Sequence, residues 1–143
     1  MPLKTIQFYG YVGVLPFILF TIAPWLSSDF SEISLKAISF YGGVIISFLG
    51  GTAWGWAPNS LANIRFGIAC TFINLAIIFF VFEDFLIALV ICFLAFPLFL
   101  YYETKNNYSF KNDSEYAEMR RILTLLVTIC YFICLAFVFN PYT

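Results

Sequence analysis

Four cysteines, one acidic pair and three polar side chains set in apolar sequence are the groups from which this chain must build any chemistry. The cysteines are Cys70, Cys92, Cys130 and Cys134. None forms a C-x-x-C pair, so their spacing carries neither a redox couple nor a thiolate metal cage. Cys130 and Cys134 share a helix face at i, i+4 and fit as packing residues. Histidine is absent altogether. That removes the ordinary proton shuttle near neutral pH, histidine-ligated haem and histidine-containing zinc sites. Glu83-Asp84 would need converging partners to act as an acid–base or cation site, and the sequence identifies none, so the pair fits a solvated turn. Thr71, Asn74 and Tyr131 predict either interhelical hydrogen bonds, worth about 1 kcal/mol each, or a polar pocket for an uncharged solute. No nucleophile–base pair can be assembled without histidine or a buried acid. The expectation is a non-enzymatic protein with no catalytic or metal site and no cofactor.

The elements that position these groups follow from composition. Of 143 residues, 62% are hydrophobic and 10% charged, against about 45–50% and about 25% in soluble domains. A fold of this size has too little interior to hide that much apolar surface from water. Seven Lys and Arg oppose eight Asp and Glu, so there is no basic stripe for nucleic acid. Five apolar runs are long enough to cross a bilayer: Gln7 to Leu26, Leu35 to Ala57, Leu61 to Phe82, Phe85 to Tyr102 and Ile122 to Phe139. Lipid offers no partner to free backbone groups, so each run must be a helix. The fold class is an all-α, single-domain bundle of five transmembrane helices. The N-terminal run is about 20 residues, longer than the apolar core of a signal peptide, and is expected to remain as the first span.

The connections are short. Pro58-Asn59-Ser60 separates the second run from the third, and Glu83-Asp84 makes a tight hairpin of the third and fourth. Residues Glu103 to Arg121 form the one longer polar segment, predicted to be a cytoplasmic or matrix loop. Within it, Asn112 followed by Glu115 looks like a helix start, so the fifth span is expected to begin as a surface helix near Asp113. Five spans place the termini on opposite sides. Lys4, Arg65, Lys105, Lys111, Arg120 and Arg121 fall on the N-terminal side, and Lys36 falls on the other. The positive-inside rule then puts the N-terminus inside and the C-terminus outside. Trp25, Tyr41, Trp54 and Trp56 are expected at the membrane interfaces, where amphipathic rings settle.

The second span carries a stripe of small residues, Gly43, Ser47, Gly51 and Gly55, widened by Gly42 and Gly50. Such a stripe lets backbones approach closely. It predicts either that this span is the central helix, packed by the first or third, or that the stripe docks a partner helix, a flat cofactor or a lipid. Pro16 and Pro97 each remove a backbone hydrogen bond and are expected to kink their helices. No Asp, Glu, Lys or Arg lies in the central part of any span, whereas proton relays and ion pathways need ionisable groups at depth. The all-round apolar fourth span suits broad contact with lipid or with protein neighbours. Two roles remain open: an accessory or assembly subunit of a larger membrane complex, and a small transporter or channel for an uncharged or lipid-like solute.

Gly13-x-x-Pro16-Phe17, Tyr41-Gly42, the block Ser47-Phe48-Leu49-Gly50-Gly51-x-x-Trp54-Gly55, Arg120-Arg121 and Leu123-Thr124 recur here in span order. In these the chain resembles the bacterial and mitochondrial transmembrane-protein-69-like family, whose function is unknown. The resemblance implies a five-helix protein of the bacterial inner membrane or the mitochondrial inner membrane, with no reaction attached. The family pattern has a histidine just before the tryptophan of the glycine block; here that position is Ala53. For the threading, a reporter active only in the cytoplasm is expected to be silent when fused after Thr143 and active when fused before Met1.

Overall fold

The computed structural model describes residues 3–57, 60–107, 110 and 112–139, with side chains from Phe8 onward. Pro58, Asn59 and Lys111 lie outside the described residues, as does the side chain of Lys4. Among the described residues there is no strand. The helices are α1 (Leu3–Val12), α2 (Leu15–Leu26), α3 (Ser31–Thr52), α4 (Leu61–Glu83), α5 (Phe85–Asn106) and α6 (Ser114–Val138). A 22-residue helix such as α3 is about 33 Å long at 1.5 Å per residue, a match to the roughly 30 Å hydrocarbon core. The chain has five helical stretches long and apolar enough to cross a membrane, counting α1 and α2 as one.

The first span is not one continuous rod. It breaks at Gly13-Val14, just ahead of Pro16. Pro16 has no N–H to offer the carbonyl four residues earlier, and its ring crowds that carbonyl. The Val14 N–H turns back to the Tyr11 carbonyl at 3.1 Å, and a new helix starts from Val14, whose carbonyl accepts from Ile18 N–H. Pro16 sits in the first turn of α2, where a missing donor costs least. The Tyr41 hydroxyl, on α3, donates to the Gly13 carbonyl at 2.9 Å and so ties the break to the bundle. By contrast, Pro24 and Pro97 lie inside α2 and α5 without ending them.

The hairpin between α4 and α5 turns on one residue. Asp84 follows α4 directly and its carboxylate accepts the Leu86 N–H at 3.2 Å, capping α5. Ser60 caps α4 through Asn63 N–H, and Asp113 caps α6 through Tyr116 N–H. The cap of α6 is thus one residue later than the expected Asn112, and the helix runs unbroken from the polar segment into the apolar one. The polar stretch 103–121 is therefore not a single loop: α5 continues to Asn106, α6 begins at Ser114, and Phe110 and Asn112 between them are helical as well.

α3 occupies the centre, against α2, α4 and α5; its span is 44% buried, compared with 22% for that of α4. The centre is open to neighbours because glycines stand where they enter. A Cβ on Gly42 would collide with the Tyr131 hydroxyl, and one on Gly43 with the Asn74 side-chain oxygen, Oδ1. A Cβ on Gly50 would lie 2.6 Å from Cys70 Cβ and 3.1 Å from the Gly67 carbonyl oxygen. Gly67, on α4, in turn faces the Gly50 carbonyl and Trp54 Nε1. The two glycines therefore bring the backbones of α3 and α4 together, the geometry in which weak Cα–H···O contacts replace absent side chains.

The small-residue stripe of the sequence is thus corrected. Gly43 packs within the bundle, whereas Gly51 and Gly55 have nothing within 4 Å of a notional Cβ. The close-approach face is Gly42, Gly43 and Gly50, completed by Gly67 on the neighbouring helix. Gly50 is seven residues, about two turns, from Gly43 and so faces the same helix, α4, whereas Gly51 is turned about 80° away and Gly42 about 100° the other way, towards Tyr131. Replacing Gly50 with Leu is expected to cost about 1–3 kcal/mol or more from overpacking, read as a lowered unfolding temperature in detergent. Gly51→Leu is expected to leave that temperature unchanged.

Candidate functional site

Polar side chains in the bundle fall into two groups, one near mid-depth and one at the end holding the N-terminus of α6. At mid-depth Tyr131 is fully buried. Its hydroxyl donates to the Ile38 carbonyl at 2.7 Å, and its ring lies 5.9 Å from both Phe17 and Phe96. The Cys92 thiol beside it points to the Ser39 carbonyl at 3.6 Å. The Cys134 thiol approaches the Thr21 hydroxyl at 3.8 Å, which itself donates to Phe17. All four cysteines are buried and free, so they act as small packing groups between helices. Among the described residues, no three His, Cys, Asp or Glu converge as a metal site.

Asn74 stands elsewhere, on the α4 side of α3. Its side-chain oxygen is buried with no hydrogen-bond partner and faces the Cα of Gly43, a weak Cα–H donor. Thr71 is exposed and bonds back to the Gly67 carbonyl of its own helix at 3.4 Å. The expected polar pocket of Thr71, Asn74 and Tyr131 is therefore not formed. Asn74 meets Gly43, Tyr131 meets Gly42, and adjacent helical residues point about 100° apart.

The second group was not foreseen as a site. Glu103, near the end of α5, is 1% exposed, and Arg120, six residues into α6, is 8% exposed. Arg120 Nε donates to Glu103 Oε1 at 2.8 Å. Glu103 Oε2 accepts from the Tyr116 hydroxyl at 2.8 Å and from the Asn107 side-chain amide at 3.0 Å. A buried carboxylate is tolerated only when its charge is paired and its lone pairs are occupied, and here both oxygens have donors. The guanidinium also lies over the Phe99 ring, 5.8 Å from its centroid. The signal for this cluster was the pairing of Glu103 with Asn107 at i, i+4 and of Tyr116 with Arg120 at i, i+4. Both were hidden by assigning the segment to a loop.

The interfacial aromatics are sorted by the same end. Trp56 turns inward at 8% exposure and packs edge-on to Phe99 at 5.6 Å. Phe66 stacks on Tyr102 at 3.8 Å, whose hydroxyl donates to Asn63 at 3.0 Å. Trp56 is thus a core residue of the bundle end, in place of the expected surface anchor, because the 3-10 turn Ala53–Gly55 swings it over α4 and α5. Tyr41 is also corrected. It sits at the middle of α3, about 15 Å from either end, half-buried against Phe17 at 4.8 Å. Trp54 and Trp25 remain exposed, at opposite ends of the bundle. Trp54 reaches back over Gly67, and Trp25 stands edge-on to Phe137. Glu83 and Asp84 are exposed at the hairpin, consistent with a turn.

Residues 2–136 match a family described as "Protein of unknown function (DUF3429)". The chain belongs to this family. No curated protein and no solved structure is significantly similar to it. Its five long apolar helices are those of a helical membrane protein, and among the described residues the buried charges, Glu103 and Arg120, lie at one end.

For the charge pair, Arg120→Met is expected to destabilise the protein by about 3–5 kcal/mol, because Glu103 is left buried and unpaired. The double variant Glu103→Gln/Arg120→Met is expected to recover most of that loss. Unfolding midpoints in detergent read both, and an equal loss in the two variants would show that the pair carries no coupling.

Proposed function

We propose that this protein is a non-enzymatic accessory or assembly subunit that packs against partner helices in a larger complex of the bacterial or mitochondrial inner membrane, a respiratory one by compartment. The observation that carries this reading is the unfilled half of the α3 stripe. Gly51 and Gly55 are exposed with open space beside them. The same helix uses its other glycines for close packing inside the bundle. A second smooth face suits a helix from another chain, since lipid gains little from a groove that admits backbone.

Two further points support it. At mid-depth Tyr131, Cys92 and Cys134 are spent on helix–helix contacts, and the central part of each span carries no Asp, Glu, Lys or Arg for a titratable path of the kind pumps and channels use. The resemblance to the transmembrane-protein-69-like family favours an inner membrane. The bias of Lys and Arg favours an inward N-terminus.

The test is purification of the full chain in a gentle detergent, with site-directed cross-linking from Gly55→Cys and mass spectrometry of what it captures. The same partner subunit is expected in independent preparations, cross-linked at position 55. Gly51→Leu is expected to abolish that capture without lowering the unfolding temperature. A chain that stays monomeric in every preparation would sink the proposal.

A further inference from the structure

We propose that a side cavity next to Arg120 binds the uncharged, oxygen-bearing head of a lipid-soluble molecule, either a quinone-type ring or an acyl ester. This inference stands apart from the accessory-subunit reading, because the cavity lies on residues that reading does not use for docking. The cavity has a volume of about 170 Å3 and sits where α1, α2, α3 and α6 meet. Val14, Phe17, Phe96 and Val127 make its wall apolar.

Besides the exposed Tyr9, two lining residues have polar side chains, Thr124 and Arg120, and both have donors to spare. Thr124 is 4% exposed, and its hydroxyl is buried with no hydrogen-bond partner. Arg120 also lines the cavity. Its Nε is taken by Glu103, and its two Nη nitrogens have no hydrogen-bond acceptor among the described residues. A buried hydroxyl left without an acceptor is costly, and the free Nη edge of Arg120 stands beside it. A ligand that brings an oxygen acceptor removes that cost.

Size, access and charge narrow the class. An apolar protein cavity of about 150 Å3 accommodates one benzene-sized molecule, so this one has room for a single ring or a short ester-bearing chain segment. Tyr9 and Phe48 line it and are 65% and 67% exposed on the outer face of the bundle. The mouth therefore opens sideways into the bilayer, and the ligand enters from lipid. Gly10 and Gly13 line the cavity as well, without side chains to fill it. Glu103 already neutralises Arg120, so a carboxylate or phosphate would add a second anion to a low-dielectric site that holds one. A neutral carbonyl faces no such penalty.

The experiment uses the full chain in nanodiscs of ether-linked phosphatidylcholine, which carries no ester carbonyl. A decyl-tailed benzoquinone, methyl laurate and laurate are titrated separately and followed by native mass spectrometry. A saturable one-to-one adduct is expected with the quinone, the methyl ester or both, and whichever binds identifies the source. Thr124→Val keeps the shape and is expected to weaken binding about fivefold. Gly13→Leu and Val127→Phe fill the cavity from opposite walls, and at least one variant that unfolds at the wild-type temperature is expected to lose the adduct. No adduct with either neutral probe, an adduct untouched by a folded filling variant, or laurate binding as tightly as its ester would overturn the proposal.

Discussion

The bundle depends on α3 having no side chain where its neighbours enter. In hydrocarbon there is little hydrophobic drive between helices, so association rests on close packing and on hydrogen bonds that lipid does not provide. Gly42 admits Tyr131 from α6, Gly43 admits Asn74 from α4, and Gly50 meets Gly67 backbone to backbone. Each contact needs the others. Tyr131 reaches the Ile38 carbonyl only because residue 42 is empty on that side. Phe17 and Phe96 then pack on the tyrosine ring, which fixes α2 and α5 against the same helix.

The break in the first span belongs to that arrangement. Pro16 forces a discontinuity, and the Gly13 carbonyl beside it is held by the Tyr41 hydroxyl from α3. The break thereby redirects α1 towards α6, so that Gly10 comes against Leu123 and Met119. A small helix offset at mid-depth, with glycines at positions 10 and 13, leaves the side cavity between the two halves of the span and α6. Shape at this place is a result of one missing backbone donor.

At the other extreme of chemistry stands the pair Glu103–Arg120. Two opposite charges inside a membrane bundle are tolerated because they lie at one end, neutralise each other and are surrounded by donors from Tyr116 and Asn107. Trp56, Phe66, Phe99 and Tyr102 close over the same region. The pair also accounts for the extension of α5 and α6 beyond the apolar core, since one more turn of each helix is needed to bring the two side chains face to face.

How much of this was legible beforehand depends on whether the information is local. Five crossings, the Glu83-Asp84 hairpin, the helix that starts near Asp113 and the absence of charge at mid-depth can be read from residues close together in the chain, because hydropathy and capping are sums over a few neighbours. Trp56 and Tyr41 could not be placed this way. Both are amphipathic rings near helix glycines, and whether such a ring faces lipid or core is a matter of helix rotation, at about 100° per residue. The same rotation separates Asn74 from Tyr131, selects Gly50 over Gly51 as the contact glycine, and turns Thr124 towards a cavity.

Sequence alone thus determined the solvent of this protein and the number of its crossings, since apolar length answers to the bilayer and to nothing else in the molecule. Tertiary structure alone decided which small residues are contacts, that Glu103 meets Arg120, and that a donor-lined cavity lies beside them. Those outcomes depend on the azimuth and depth at which separate helices meet, and no stretch of the chain records where its neighbour's side chains will point.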